Sequence, residues 1–368
     1  MGKQSINQYQ PDIVSPPGDT LEELLEEREM TQADLAERTG RSKKLINEII
    51  QGKAPITAET ALQLELVLDV PARFWLEREQ QYRESLARRD EAASLAAFVD
   101  WLTQVPVKAM IKLGWIQRYP EPIAQLREVL RFFSIASPNQ WEGMVVDYRK
   151  SPAFESDPLA ISAWLRRGEL DAQKVVCAPF DEVAFRAVLS RVRTLTIEAV
   201  EDFQPPLVTW CAAVGVAVAF VPELPHTHVS GATRWLSPTR ALIQLSLRYK
   251  TDDHLWFTFF HEAGHILLHG KREVFLEGDR ASNEKEQEAN RFAADFLIAP
   301  EDWQRFITTR DYRSSAAIRA FAHEIGIAPG IVVGRLQHHE KLIPPRNCNG
   351  LKRHFEWAKQ DPTDIAKS

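Results

Sequence analysis

The sequence predicts a mainly helical α+β protein with one small β-sheet. Helical periodicity and helix-capping residues recur through most of the 368 residues. Residues 214–247 instead contain the β-branched, alternating segments that are typical of short strands. A strongly apolar helix that carries paired histidines then begins at about residue 253. We therefore expect an N-terminal unit of five short helices, a helical middle region and a C-terminal α+β domain.

The composition is that of a soluble globular protein with room for two or three domains. A formal net charge of −6 is unlike that of a protein that coats nucleic acid or anionic lipid. The N-terminus has no apolar signal core, and no apolar run approaches membrane-spanning length. Cys177, Cys211 and Cys348 are far apart and match no metal-binding spacing, which favours ordinary thiols in a reducing compartment. We expect a cytoplasmic protein with no membrane partner.

The first 82 residues predict a flexible arm followed by five helices. Residues 1–18 are polar and contain three prolines. Beyond them, residues that favour helix starts and stops recur at short intervals, with apolar residues at helical spacing between them. The expected caps and stops are Asp19, Thr31, Gly40, Ser42, Gly52, Thr57 and Pro71. A tight turn between the second and third helices predicts a helix-turn-helix arrangement.

The residues around this turn carry a family resemblance. Residues 31–40 read TQADLAERTG and residues 42–53 read SKKLINEIIQGK. They resemble the second helix and the recognition helix of the Cro/C1-type (XRE) helix-turn-helix family. Residues 56–76, which end in Phe-Trp-Leu, are similar to the HigA antitoxin branch. The resemblance implies a five-helix, lambda-repressor-like DNA-binding domain that acts as a homodimer on a double-stranded operator.

The same resemblance implies that five side chains face DNA. They are Gln32, Ser42, Lys43, Lys44 and Asn47. Gln and Asn can pair with adenine, and Lys serves guanine or phosphate. The alternative is a helix-turn-helix that binds DNA weakly or not at all, because residues 1–82 hold nine Lys or Arg against fifteen Asp or Glu. The basic residues nevertheless cluster around the turn and the recognition helix, which favours DNA binding.

The middle region, residues 83–206, predicts further helices but shows no catalytic spacing. The paired prolines at 205 and 206 are expected to break the last of these helices. The stretch resembles the helical region between the two domains of HigA-like chains that also carry a peptidase. The expected organisation is an arm (1–18), a helix-turn-helix domain (19–82), this middle region (83–206), a catalytic domain (207–343) and a tail (344–368).

Three strands are expected before the histidine helix, at residues 214–221, 229–236 and 241–247. The third strand lies directly before that helix. If this strand were the edge of the sheet, it could pair with an extended substrate and lay the scissile bond beside the histidines. The alternative is an ordinary strand with no such partner.

The sequence HEAGH at residues 261–265 is an H-E-x-x-H motif in an apolar run. On a helix, His261 and His265 leave the same face one turn apart, as two ligands of one tetrahedral Zn²⁺ ion would. Glu262 then lies where it can take the proton of the attacking water. The alternative is a core helix whose histidines are satisfied by hydrogen bonds. The acidic helix that follows favours a zinc site, because it can supply a third ligand.

Residues 214–300 resemble the ImmA/IrrE family of metallopeptidases. The resemblance is carried by TDDHLWFT at 251–258, the HEAGH motif, and EQEANRFAADFLIAP at 286–300. It implies a zincin-like domain whose third zinc ligand is a glutamate of the last segment. Glu288 is our first choice, and Glu284 and Glu286 are the alternatives.

Other histidines lie near these motifs. His254 and His269 fall close to the ligand face and are expected to be packed, hydrogen-bonded residues, with an outer hydrogen bond to a ligand or a substrate contact as the alternative. The pair at 338 and 339 could join Cys348 in a metal site, but nothing completes the spacing.

Together these resemblances imply a DNA-binding regulator that also carries a zinc endopeptidase. Its expected partners are an operator DNA and a protein substrate, such as a repressor or a toxin. The alternative is a non-catalytic HigA-type antitoxin or repressor whose zinc domain only senses or scaffolds. The glutamate of the H-E-x-x-H motif favours the enzyme, since a structural zinc site would not require it.

Overall fold

The computed structural model describes residues 14–145, 157–270, 275–278, 284–339 and 342–357. The arm predicted for residues 1–18 therefore lies largely outside the described residues, as does the end of the predicted tail. The chain divides into two compact units, residues 1–98 and 99–368. Both are mainly helical, and the second contains the sheet, so the predicted α+β class is confirmed.

The first unit has five helices in its described part. They are α1 (Pro17–Glu27), α2 (Gln32–Thr39), α3 (Lys43–Ile50), α4 (Ala58–Leu68) and α5 (Ala72–Ala96). The predicted caps at Thr31, Ser42 and Thr57 are confirmed, since each side chain accepts a hydrogen bond from the backbone N–H three residues on. Leu21, Leu35, Ile46, Leu64 and Trp75 are fully buried between the helices and form the core.

Two details of this unit differ from prediction. The cap at Asp19 is wrong: α1 begins at Pro17, and no side chain caps it. Proline suits the first position of a helix because its φ is already helical and its missing N–H would have no partner there. The fifth helix also runs on to Ala96, because nothing between residues 72 and 96 breaks it.

The second unit places helices on both faces of a four-stranded sheet in its described part. The strands are β1 (Val216–Phe220), β2 (Val229–Ser237), β3 (Arg240–Leu245) and β4 (Phe275–Gly278), in the order β1-β3-β2-β4. The helices are α6 (Val107–Lys112), α7 (Pro122–Phe133), α8 (Pro138–Val145), α9 (Pro158–Gln173), α10 (Glu182–Thr194), α11 (Val200–Ala212), α12 (Asp252–Leu268), α13 (Glu284–Leu297), α14 (Pro300–Thr309), α15 (Ser315–Ile325) and α16 (Pro329–Gly334).

The order of the strands overturns one expectation. The strand before the histidine helix is β3, and it lies inside the sheet, parallel to β1 and antiparallel to β2. A strand that is paired on both sides cannot accept a substrate strand. Within the described residues, β1 and β4 are the edges.

Alternate residues of the strands face two different apolar layers. Val216 and Val218 of β1 join the core around α12, and Ala217 and Ala219 join a second core around α9. Trp164 of α9 is fully buried there, and its indole N–H donates to the carbonyl of Val221. Helices from the middle of the chain therefore cover the sheet face opposite the histidine helix.

The paired prolines do not break their helix. Pro205 and Pro206 both lie inside α11, where they remove two backbone hydrogen-bond donors. Packing overrides this cost, since Phe203, Leu207 and Cys211 are buried along one face of the helix. The prediction of a helix end at these prolines is wrong.

The described part of the predicted tail is packed. Leu351 and Phe355 are buried in the core around α12, and Arg353 forms an ion pair with Asp252 at the start of that helix. Among the described residues no single helix is long and apolar enough to cross a membrane. Helix α15 and the segment Pro329–His338 reach that length and hydropathy only when taken together, and they are bent by 119° relative to each other.

Candidate metal centre and DNA interface

Helix α12 brings His261 and His265 together as the motif predicts. Both residues are buried, and their Nε2 atoms lie 2.9 Å apart. The helix is anchored to the sheet by Thr233 of β2, whose hydroxyl donates to the carbonyl of Glu262. Phe275 of β4 stacks on the ring of His265, with ring centroids 4.0 Å apart. The sheet therefore holds both the helix and the ring of His265 in place.

The third member of the group is Glu286, not Glu288. Its Oε2 lies 3.1 Å from Nε2 of His261, and its Oε1 lies 3.5 Å from Nε2 of His265. Tetrahedral ligands at zinc–nitrogen distances would lie about 3.3 Å apart. Glu288 points elsewhere, is half exposed, and contacts His269 at 3.0 Å. Glu284, the other alternative, is exposed.

The helical period of α13 explains this outcome. Its buried residues are Glu286, Ala289, Ala293, Ala294 and Leu297, so Glu286 lies on the stripe that faces α12. Glu288 is two residues further on and therefore leaves the opposite side of the helix. The spacing of the alanines in this segment indicates which side of α13 is buried, and Glu286 lies on that side whereas Glu288 does not.

Each histidine makes an outer hydrogen bond that orients its ring. Nδ1 of His261 lies 3.0 Å from the side-chain oxygen of Asn290, which can only accept. Nδ1 of His265 lies 2.9 Å from Nδ1 of His269, and Nε2 of His269 donates to Glu288. These bonds leave both Nε2 atoms turned toward Glu286, as ligands of a common metal would be.

The charge states suit a metal site. Burial lowers the pKa of His265 to about 4, so its imidazole is neutral near pH 7. Burial alone would raise the pKa of Glu286, but its close contacts with His261 and His265 outweigh burial and lower the pKa to about 2. Imidazole nitrogen and carboxylate oxygen are both ligands that Zn²⁺ takes in proteins.

Glu262 is fully buried beside this group, under β2. A Cβ at Gly231 would lie 2.7 Å from its Oε1, closer than real contacts allow. Glycine at that position of β2 therefore leaves the space that the carboxyl group occupies. The H-E-x-x-H motif placed Glu262 next to the two histidines, but nothing in the sequence indicated that its carboxyl group needs a glycine at position 231.

A cavity of about 580 Å³ begins next to the group formed by His261, His265 and Glu286. Asn290 and Phe257 line it on the side of His261, and Asp253, His254 and His338 also line it. His254 stacks on Tyr249, with ring centroids 4.1 Å apart, which agrees with the expectation that His254 is packed.

Residues 21–75 match the helix-turn-helix family, and residues 215–337 match a peptidase family described as the IrrE N-terminal-like domain. The chain joins an XRE-type helix-turn-helix domain to an IrrE-like domain. The two matches cover the N-terminal helices and the segment that carries β1 to α16. The two family resemblances of the sequence are thereby confirmed.

Several solved structures are similar to part of this chain. A HigA-family antidote protein from Coxiella burnetii is 27% identical over 23% of this chain and 92% of that chain, with a TM-score of 0.21. Antitoxin HigA of Pseudomonas aeruginosa, solved with the higBA promoter, is 26% identical over 23% and 91%, with a TM-score of 0.22. An antidote protein of a plasmid maintenance system from Nostoc punctiforme is 26% identical over 23% and 92%, with a TM-score of 0.22. No curated protein matches the chain.

The helix-turn-helix domain displays the side chains expected to face DNA. Ser42, Lys43, Lys44 and Asn47 are exposed around α3, and Gln32 at the start of α2 is half buried. The Ser42 hydroxyl accepts from the N–H of Leu45 as a helix cap, so it also has a structural role.

Proposed function

We propose that this protein is a DNA-binding regulator whose IrrE-like domain is a zinc-dependent endopeptidase acting on another regulatory protein. The observation that carries the proposal is the convergence of His261, His265 and Glu286 beside the buried Glu262. A metal group used only for structure would not need a carboxylate at that position.

The chain supplies three metal ligands and a general base for such a site. His261, His265 and Glu286 would hold the ion, since their ligand atoms all lie within 4.8 Å of one another. Asn290 and His269 orient the two imidazoles. Bound zinc would supply Lewis acidity to the scissile carbonyl and lower the pKa of a water.

Glu262 performs the proton transfers in this mechanism. It takes a proton from the attacking water and gives it to the leaving amine, so no free base or acid is required from solvent. Its complete burial keeps bulk water from competing with these transfers. Gly231 keeps space for its carboxyl group against β2.

The described sheet offers β4 rather than β3 for pairing with a substrate strand. β4 pairs with β2 on one side and is an edge on the other, and its Phe275 stacks on His265. A peptide added to this edge would lie close to the metal group. The substrate is therefore an extended protein segment, such as part of a repressor or a toxin.

The helix-turn-helix domain supplies the DNA-binding function. The exposed residues Lys43, Lys44 and Asn47 would contact phosphate and base edges in the major groove. Leu62 and Leu66 of α4 are 57% and 85% exposed one helical turn apart, and an apolar pair of this kind fits a homodimer contact. A dimer would present two recognition helices to a symmetric operator.

The peptidase part is tested by zinc content and cleavage together. We expect about one tightly bound zinc per chain at this group, lost in His261→Ala and in Glu286→Ala but kept in Glu262→Gln. Purified wild type, but not Glu262→Gln, should cleave a partner protein captured by the inactive variant. Zinc that binds normally without cleavage of any captured partner would favour the non-catalytic repressor.

The DNA part is tested by titrating DNA from upstream of the gene at several salt concentrations. Lys43→Ala and Lys44→Ala should each weaken binding and reduce the salt slope by about 1. Lys108→Ala, an exposed lysine of the second unit, is the matched control and should change neither. Equal binding by all four proteins would show that α3 does not contact DNA.

A further inference from the structure

Besides His261, His265 and Glu286 (the His261 group), the described residues include a second group of side chains that could hold a metal ion. Asp253 and His254 come from the first turn of α12, and His338 comes from the turn that follows α16. The ligand atoms of the three residues all lie within 4.8 Å of one another. The rings of His254 and His338 meet edge to face, with centroids 5.0 Å apart. None of the three is used by the proposed peptidase chemistry.

Asp253 has a buried oxygen that its neighbours do not satisfy. The residue is 4% exposed, and its Oδ2 accepts a hydrogen bond of 2.6 Å from Lys352. Its other oxygen, Oδ1, is buried and has no hydrogen-bond partner among the described residues. Because burying an unsatisfied carboxylate oxygen is costly, its position in the wall of a cavity points to a ligand.

The surroundings of the two imidazoles disfavour their charged forms. Burial lowers the pKa of His254 to about 4, and burial together with Lys352 lowers that of His338. A neutral imidazole has a lone pair that can bind a metal ion. Tyr249 stacks on one face of His254 and holds its ring in place.

We propose that Asp253, His254 and His338 form a second site, which takes a divalent transition-metal ion such as Zn²⁺, Co²⁺ or Fe²⁺. Two imidazoles and one carboxylate suit these ions better than Mg²⁺ or Ca²⁺, which prefer oxygen ligands. The cavity of about 580 Å³ leaves room for water or a small anion at the remaining coordination positions.

The surrounding charges set the expected strength of this site. Lys352 lies against Asp253, and Arg248 lies over the ring of Tyr249, 4.9 Å from its centroid. These cations oppose a metal ion, so the second site binds more weakly than the His261 group. A bound ion would tie the turn after α16 to the start of α12, two segments far apart in the sequence.

The test is a titration of tag-free, metal-free protein with Co²⁺, followed by calorimetry and visible absorption. Wild type should take up about two ions per chain, one tightly and one weakly. His338→Ala should lose the weak ion and keep the tight one, and His261→Ala should do the reverse. His338 is exposed, so its replacement should leave the fold unchanged, which thermal melting checks. His254→Phe keeps an aromatic ring beside Tyr249 and should also lose only the weak ion.

His323→Ala is the matched control, because His323 is exposed on α15 and belongs to neither group. It should bind both ions. The proposal is overturned if wild type binds only the ion that His261→Ala removes, or if His338→Ala and His254→Phe keep both ions. Loss of the tight ion alone would count against the peptidase and not against this site, so the two proposals fail separately.

Discussion

The side-chain oxygen of Asn290 lies 3.0 Å from Nδ1 of His261 and fixes which ring nitrogen faces Glu286. An amide oxygen accepts only, so Nδ1 carries the proton and Nε2 keeps its lone pair. We expect Asn290→Ala to weaken zinc binding by about 10- to 100-fold, the usual cost of losing an outer hydrogen bond to a metal ligand. Competition with a fluorescent zinc chelator measures the change.

Two further variants separate orientation from general damage to α13. Asn290→Asp keeps an acceptor opposite His261 and should restore most of the affinity. Gln287→Ala changes an exposed residue of the same helix and should bind zinc as wild type does. Equal affinity of Asn290→Ala and wild type would show that the ring needs no such partner.

Glu286 and Glu288 should respond differently to the same substitution. Glu286→Ala removes a proposed ligand and should abolish stoichiometric zinc binding at the His261 group. Glu288→Ala removes only the acceptor for His269 and should keep the zinc, with affinity reduced about 10-fold. Glu284→Ala, exposed on the same helix, is the control for lost surface charge. If Glu286→Ala keeps zinc and Glu288→Ala loses it, the third zinc ligand is Glu288 and not Glu286.

Local patterns in the sequence predicted the parts of this structure that local chemistry determines. The caps at Thr31, Ser42 and Thr57 depend on side chains that bond to the backbone three residues away, so they can be seen in a short segment. The juxtaposition of His261 and His265 likewise follows from one turn of one helix.

The expectations that were wrong depend on distant contacts. The position of β3 inside the sheet depends on β1, which reaches it by a crossover. The continuity of α11 through its two prolines depends on partners such as Trp256, which packs on Phe203 with ring centroids 4.9 Å apart. The grouping of His338 with Asp253, on which the sequence made no prediction, likewise joins segments that are far apart in the chain.

Gly231 should be intolerant of even one added methyl group. A Cβ there would lie 2.5 Å from Cγ2 of Thr258 and 2.7 Å from Oε1 of Glu262, so α12 or the carboxyl group must move. We expect Gly231→Ala to cost about 1–3 kcal/mol of unfolding free energy through overpacking. Urea denaturation measures this cost, with Ser230→Ala on the same strand as the control.

The Gly231→Ala variant should also separate zinc binding from hydrolysis. Its zinc content should remain near that of wild type, because the three atoms nearest to the new methyl group belong to Thr258 and Glu262 and not to the proposed ligands. Any cleavage activity should fall by about 100-fold, as expected when a reacting group moves by about 1 Å. A Gly231→Ala variant that is as stable and as active as wild type would show that β2 can shift to accommodate the added methyl group.

The capping box of α2 should make the helix-turn-helix domain sensitive to acid. Oδ2 of Asp34 accepts hydrogen bonds from the hydroxyl and the backbone N–H of Thr31, and these lower its pKa below the usual 3.8. A carboxyl group whose pKa is lowered by folding stabilises the fold above its unfolded pKa, and that stabilisation is lost as the pH falls through the folded value. Asp34→Asn should therefore speed amide exchange in α2 relative to wild type at about pH 6, and the difference should shrink by about pH 3.

Asp19→Asn is the control for this prediction. It removes a first-turn charge from α1, where no side chain caps the helix, and should leave amide exchange in α2 unchanged. A gap between Asp34→Asn and wild type that persists unchanged at the lower pH would mean that the carboxylate charge does not stabilise this helix.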